Sequence, residues 1–497
     1  MVNFSSRPEM RDYFAPARFE ADIYDCEVTG EVPRDLDGAF YRLHPDWLYP
    51  PNPPDDIPLA SDGYMSMFRF RNGVVDYKGR YVRTERFERQ HAARRQLYGY
   101  YRNPFTDDPS VRDPDHPQRR TTANTTPVLL AGALYATKED GLPHRMDPNT
   151  LETLGPTDFG GQWKSQAFTA HPKLDPVTGE TAAFGYEASG LCSRDVFLAI
   201  FDTSGAITRE WRFDVPYTSM LHDMSLTREH VIIPGGGCVT SLERLHEGKT
   251  HWAWDSSKPS YYGIIPRDGE AKDIRWFLGP ERSIVHTANA RTEGSKVIME
   301  APMADGNTWP WFEDLAGGQF SAPANTIRRL TFDLDSKDDR CVEEVLFQQP
   351  VTSFTRIDDR RACQAYRYIY VQYLDPERPA RAGTHPQLRY GANSFGRFDL
   401  QTGEIKSCFG GETHMLQEPS FVPRPGSSEE GDGWLIGTAH NPGEMRAELM
   451  IVDAPTMQEV ARVILPFRNA TQVHGAWFGA HELPLAGGAA PWREPSS

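Results

Sequence analysis

The feature that most constrains this chain is a hairpin that keeps returning. MDPNTLET, FDTSGAITRE, PRDGEAKDIRWF, FDLDSKDDRCVEE, FDLQTGEIKS and VDAPTMQEVARV share one pattern. Each reads as a strand running into Asp, a tight turn, and a strand leaving with Glu or a basic residue. FRNGVVDYKGRYVRT near the start is a seventh candidate. The spacing, on the order of 55 to 65 residues, suits one four-stranded propeller blade with its loops. Closing such a ring leaves no exposed sheet edge. Short β-branched and aromatic runs such as VFLAIFD, HVIIPG, YRYIYVQY and GWLIGTAH fill the space between hairpins, and segments with helical periodicity are almost absent. The expected fold is therefore all-β, a seven-bladed β-propeller, with short helices such as one near residues 85–98. A tandem of β-sandwiches is the competing architecture, although it does not require one hairpin type at one period.

The chain of 497 residues exceeds a one-domain length prior, but closed all-β rings often do so as a single unit. We expect one domain over residues 1–485 and a frayed tail over 486–497, where LAGGAAPWREPSS carries no strand signal. A formal net charge of -16 argues against non-specific nucleic-acid binding, which depends on Lys and Arg neutralising phosphates. No stretch is long and apolar enough to span a bilayer, and the start lacks a leader pattern, so a cytoplasmic location is expected. Cys26, Cys192, Cys238, Cys341, Cys363 and Cys408 are scattered without a C-x-x-C pair, and all six read as buried thiols.

His171, His222, His286 and His474 stand in apolar or small-residue settings, separated by about one, one and three repeat lengths. A propeller sets them on different blades, where one inward residue per blade reaches the axis without any local motif. Each alone reads more readily as a hydrogen-bonded core histidine, and the spacing by itself does not overturn that.

The segments around them carry more. FTAHPKLDPVTGE, LHDMSLTREHVIIP, GIIPRDG, the strand at His286 and the terminal VHGAWF resemble the carotenoid cleavage oxygenase family. The likeness continues through LDGAFYRLHPD, DGYMSMFRF, YVRTERF, ANTTPVLLAGALYATKEDGLPHRMDPNTLET and QEPSFVPRPG, and so covers nearly the whole chain. The resemblance implies a seven-bladed propeller with a loop and short-helix cap over a metal site, holding one non-haem Fe(II) on His171, His222, His286 and His474. It implies that Glu139 and Glu418 back two of those ligands. Where the family places a third such glutamate before Phe, this chain has Ser353, so one ligand needs another support, from water or from a carboxylate placed elsewhere. Thr125 matches a position near the iron. Imidazole alone does not identify the metal, since it suits Fe, Zn, Cu and Ni.

YRNPFTDDPSV, with Tyr101, and TKED, with Lys138, resemble the lignostilbene dioxygenase branch. The reaction implied is oxidative cleavage of the interphenyl Cα=Cβ bond of a phenolic stilbene by O2, giving two aromatic aldehydes. Lys138 and Tyr101 would hold the phenol as its phenolate. Lys138 and Glu139 are adjacent on an expected strand and should face opposite sides. Leu59, Trp309, Trp311 and Phe312 are candidates for lining the slot for the rings. The competing readings are an apocarotenoid cleaver on the same metal site and a propeller that only binds. The sequence leaves open whether the chain works as a homodimer.

Overall fold

The computed structural model describes residues 2–7, 10–378 and 392–483, so the expected tail lies outside the described residues. Seven antiparallel sheets of at least four strands follow one another, which is the ring of blades expected and not a tandem of sandwiches. All seven predicted hairpins join adjacent strands of one blade, for example Asp195–Phe201 to Ile207–Asp214 and Arg446–Asp453 to Gln458–Ile464. The recurrent Asp has a physical task. Asp202 Oδ1 accepts from the backbone N–H of Ser204 at 2.8 Å and of Ala206 at 3.0 Å, and Asp399 Oδ1 accepts from Gln401 N at 2.9 Å. A carboxylate that satisfies the turn's own amides fixes the turn wherever it occurs.

Burial follows the position of a strand in its blade. Thr181–Tyr186 is buried throughout, whereas the outermost strand of the same blade, Ile207–Asp214, buries only Trp211. Apolar side chains from neighbouring blades interdigitate, as where Phe40, Phe68 and Phe70 of the first blade meet Ile436, Leu449 and Ile451 of the last. The ring is closed twice at that junction. Glu27–Gly30, from the start of the chain, adds to Gln458–Ile464 in the last blade. His474–Gly479, from its end, pairs with Gly38–Asp46 in the first, with Leu43 opposite His474.

Excursions from the blades build a cap. The first carries the helix Glu85–Ala93, shorter than the 85–98 expected, because Arg94 turns into the left-handed region with φ 54°. A second holds the helix Leu242–His246 and the small hairpin Cys238–Val239 with Ala253–Trp254. The third supplies Trp309, Trp311 and Phe312. The pieces are laced together: His251 N donates to Tyr101 O, and Trp254 N donates to Glu313 O at 2.8 Å. Among the described residues no helix is long and apolar enough to cross a membrane. Of the six thiols, Cys26, Cys238, Cys363 and Cys408 are buried as expected, but Cys192 and Cys341 are only half-buried.

Candidate metal centre and the adjoining pocket

His171, His222 and His286 sit in the short segments flanking innermost strands of three consecutive blades, and His474 opens the strand that closes the ring. All four are buried, and one nitrogen from each lies within 4.8 Å of the other three. His171 Nε2 is 3.1 Å from His222 Nε2, which is 3.1 Å from His286 Nε2, which is 3.1 Å from His474 Nε2. Two imidazole nitrogens bound at right angles to one ion, each at about 2.1 Å, stand ~3.0 Å apart. The spacing therefore fits a shared cation.

The tautomers lead to the same result. His474 Nδ1 lies 3.1 Å from Glu418 Oε1, and His286 Nδ1 lies 3.0 Å from the carbonyl oxygen of Ser353. Each Nδ1 must carry the proton to bond an acceptor, which leaves Nε2 as a bare lone pair. Facing lone pairs repel unless a cation lies between them. Burial first, and then the neighbouring imidazoles, hold His171 and His286 well below the ordinary histidine pKa, so both are neutral and fit to ligate.

The residue lacking a carboxylate resolves simply. Ser353 supports His286 through its backbone carbonyl, neither through water nor through a displaced acid. Glu418 also accepts from Gly475 N at 3.0 Å and contacts Arg356 Nε at 3.2 Å. Burial opposes its ionisation, but Arg356 and then His474 overcome that and keep its pKa below the ordinary value. Glu139 Oε1 stands 3.6 Å from His222 Nδ1, longer than a hydrogen bond. Burial would raise its pKa too, yet His222 and then Lys138 bring it below the usual carboxylate range.

Lys138 and Glu139 lie just beyond the strand Ala133–Thr137, and they do not face opposite sides. Both reach Tyr101: its hydroxyl donates to Glu139 Oε1 at 3.3 Å, and Lys138 Nζ lies 5.0 Å from its ring centre. Strand alternation ends where the strand ends, so the expectation failed for a local reason. Lys138 Nζ donates to Leu59 O at 2.6 Å and to Thr122 Oγ1 at 2.9 Å, and Asp140 Oδ2 is 3.7 Å away. Leu59 thus meets the lysine through its backbone. Thr125 gives its hydroxyl proton to Asn124 Oδ1 at 3.2 Å, and its carbonyl accepts from His474 N at 3.1 Å.

A cleft opens beside His222, lined by Met220, Trp254, Arg282, Val285 and Trp309 among others. The Trp309 ring is 6.4 Å from that of His222. Phe312 packs beneath Trp309 in the core, and Trp311 stands at the rim, 37% exposed; neither lines this cleft. Phe354, which sequence reasoning missed, lies with its ring 4.9 Å from His286 and 5.1 Å from His474. Its one signal was adjacency to Ser353.

The family model described as retinal pigment epithelial membrane protein matches residues 14–479. The chain belongs to the carotenoid cleavage oxygenase family. It is 38% identical to lignostilbene-α,β-dioxygenase isozyme III of Sphingomonas paucimobilis, over 98% of this chain and 100% of that protein. It is 38% identical to isoeugenol monooxygenase of Pseudomonas putida, over 95% and 98% of the two chains. Among solved structures, lignostilbene dioxygenase from Pseudomonas brassicacearum superposes with a TM-score of 0.92 at 37% identity, covering 97% of this chain and 100% of that one.

Proposed function

We propose that this protein is an Fe(II) dioxygenase that cleaves the interphenyl Cα=Cβ bond of lignin-derived 4-hydroxystilbenes into two aromatic aldehydes. His171, His222, His286 and His474 would hold the iron, which supplies dioxygen activation. The observation that carries the substrate class is the buried pair Lys138 and Tyr101, joined to the metal cluster through Glu139. An apocarotenoid has no phenol for a buried ammonium to ionise, and a 4-hydroxystilbene does.

Of the three N–H donors of Lys138, two already meet Leu59 and Thr122, which holds the third in one direction. An ammonium there lowers the pKa of a bound phenol from its ordinary value of about 10. The phenolate oxygen then pushes electron density through the ring into the alkene. Tyr101 would orient that oxygen by turning its one O–H from Glu139 Oε1 toward it, and the Trp309 ring stands 6.4 Å from that of His222. The relatives named for lignostilbene and isoeugenol support this reading, since both compounds carry a para-hydroxyl conjugated to an alkene. The cytoplasm, a reducing compartment, suits the six free thiols.

The test is turnover of matched hydroxy and methoxy stilbenes by iron-loaded wild type, Lys138→Met and Tyr101→Phe. The methyl ether should be nearly inert. Each variant should lose the equivalent of about 1.5 to 3 kcal/mol on the phenol, as expected for a charge-assisted hydrogen bond. Iron content should not change. Equal rates on both substrates in wild type would remove the phenolate mechanism, and full activity with Zn(II) alone would remove the dioxygenase.

A further inference from the structure

Three of the four ligand segments meet again, away from their imidazoles. Lys173 follows His171 by two positions, Asp223 follows His222 by one, and Thr287 follows His286 by one. Lys173 Nζ lies 2.7 Å from Asp223 Oδ1. Thr287 N donates to Asp223 Oδ2 at 2.8 Å, and the Thr287 hydroxyl lies 3.1 Å from the same oxygen and 2.9 Å from Met224 O. Asp223 Oδ1 also accepts from Met224 N at 2.7 Å. The carboxylate is 3% exposed. Its bonds run to the neighbours of ligands and not to the ligand rings, so it differs in kind from Glu139 and Glu418. Residues from three blades converge on one side chain.

We propose that Asp223 is a positioning residue that fixes the spacing of His171, His222 and His286, so that a metal ion meets a preformed site. This inference rests on the metal-binding half of the proposed function and not on its substrate. The three ligand segments enter from separate blades and share no ladder hydrogen bonds at the histidines. Without a common anchor, the ion itself would have to order them, and that ordering would subtract from its affinity. A carboxylate accepts from several donors at once, and Asp223 accepts from all three segments. The fourth ligand has a separate anchor: Glu418 holds both His474 Nδ1 and Gly475 N.

Position and charge make opposite forecasts for Lys173→Met. Removing the ammonium leaves Asp223 as an uncompensated negative charge near the cation, so a purely electrostatic role predicts tighter metal binding. A positioning role predicts weaker binding, because the His171 segment comes untied. The experiment measures anaerobic Fe(II) affinity by chelator competition, together with the visible absorption of the Co(II) form, at a temperature where circular dichroism shows each apo protein folded. Lys173→Met and Asp223→Asn should bind Fe(II) about 10- to 100-fold more weakly, the range for outer partners of metal ligands. Both should show altered Co(II) bands. Thr287→Val removes one hydroxyl contact and keeps the backbone bond, so it should show a smaller change of the same kind. Wild-type or tighter binding with an unchanged Co(II) spectrum in Lys173→Met and Thr287→Val overturns the proposal, whether or not Asp223→Asn folds. A wild-type protein that binds neither ion would instead remove the metal centre itself.

Discussion

An imidazole offers two nitrogens, and in this cluster Nδ1 faces the protein while Nε2 faces the shared centre. That division makes the partner of each Nδ1 a determinant of affinity. Ser353 contributes a carbonyl, so Ser353→Ala should leave iron content unchanged, whereas Glu418→Gln should weaken it by about 10- to 100-fold. Metal analysis after gel filtration checks both, and loss of iron in Ser353→Ala would show that the hydroxyl matters. Lys138 gives a second forecast, in pH. Burial lowers its pKa from the ordinary lysine value, with Asp140 and then Glu139 opposing. The clamp needs the charged form, so turnover of a hydroxystilbene should fall on the alkaline side at lower pH than an ordinary lysine would dictate. Between the folded and unfolded pKa values the unfolded chain binds more protons, so this residue makes stability rise with pH across that window. Lys138→Met should abolish both trends, as read from a pH profile of kcat/KM and from urea titrations. The four histidines were legible in the sequence as a set because short flanking motifs carry them, and motifs of the same kind singled out Lys138 and Tyr101 for the proposed clamp. The roles of Ser353 and Asp223 were not legible. One acts through a backbone atom that every residue has, and the other through partners 50 and 64 positions away.

The helix Glu85–Ala93 shows how an element sets a side chain it does not contain. Thr84 Oγ1 accepts from Phe87 N at 3.1 Å, and Glu85 and Glu88 lie in the first turn, so the N-terminus is capped and charge-matched. From its last turn, Gln90 Nε2 donates to Asp62 Oδ1 at 3.2 Å and Gln90 Oε1 accepts from Leu97 N at 3.4 Å. That second bond starts the segment whose later residue is Tyr101. Thr84→Ala should cost about 1 kcal/mol of stability by chemical denaturation. It should also raise KM for the phenol more than it changes iron content; an unchanged KM would separate the helix from the clamp. The hairpins were the most legible elements, because an Asp that bonds its own turn is a local signal. The cap was less so. Its 3-10 turns and two-residue strands are held by long-range hydrogen bonds, and no periodicity marks them.

At the scale of the whole ring, the four histidines tie the first blade to the third, fourth and fifth. Iron bound only by the folded state should raise unfolding free energy by ~2.7 kcal/mol when free iron is a hundred times Kd. Apo and iron-loaded protein compared by anaerobic calorimetry give that difference. His474→Ala should erase it, and a stabilisation that persists in His474→Ala would place the ion elsewhere. The number of blades was foreseeable from the repeat, but the double closure was not, because Glu27–Gly30 and His474–Gly479 pair with strands more than 400 residues away. That closure has a consequence for how the protein is made. During synthesis His171, His222 and His286 leave the ribosome between 188 and 303 residues before His474, which arrives on the strand that finishes the ring. A chain that stops before His474 can offer three of these nitrogens but never the fourth. Under the proposed metal assignment, full metal retention is thus a mark of a chain whose ring has already closed.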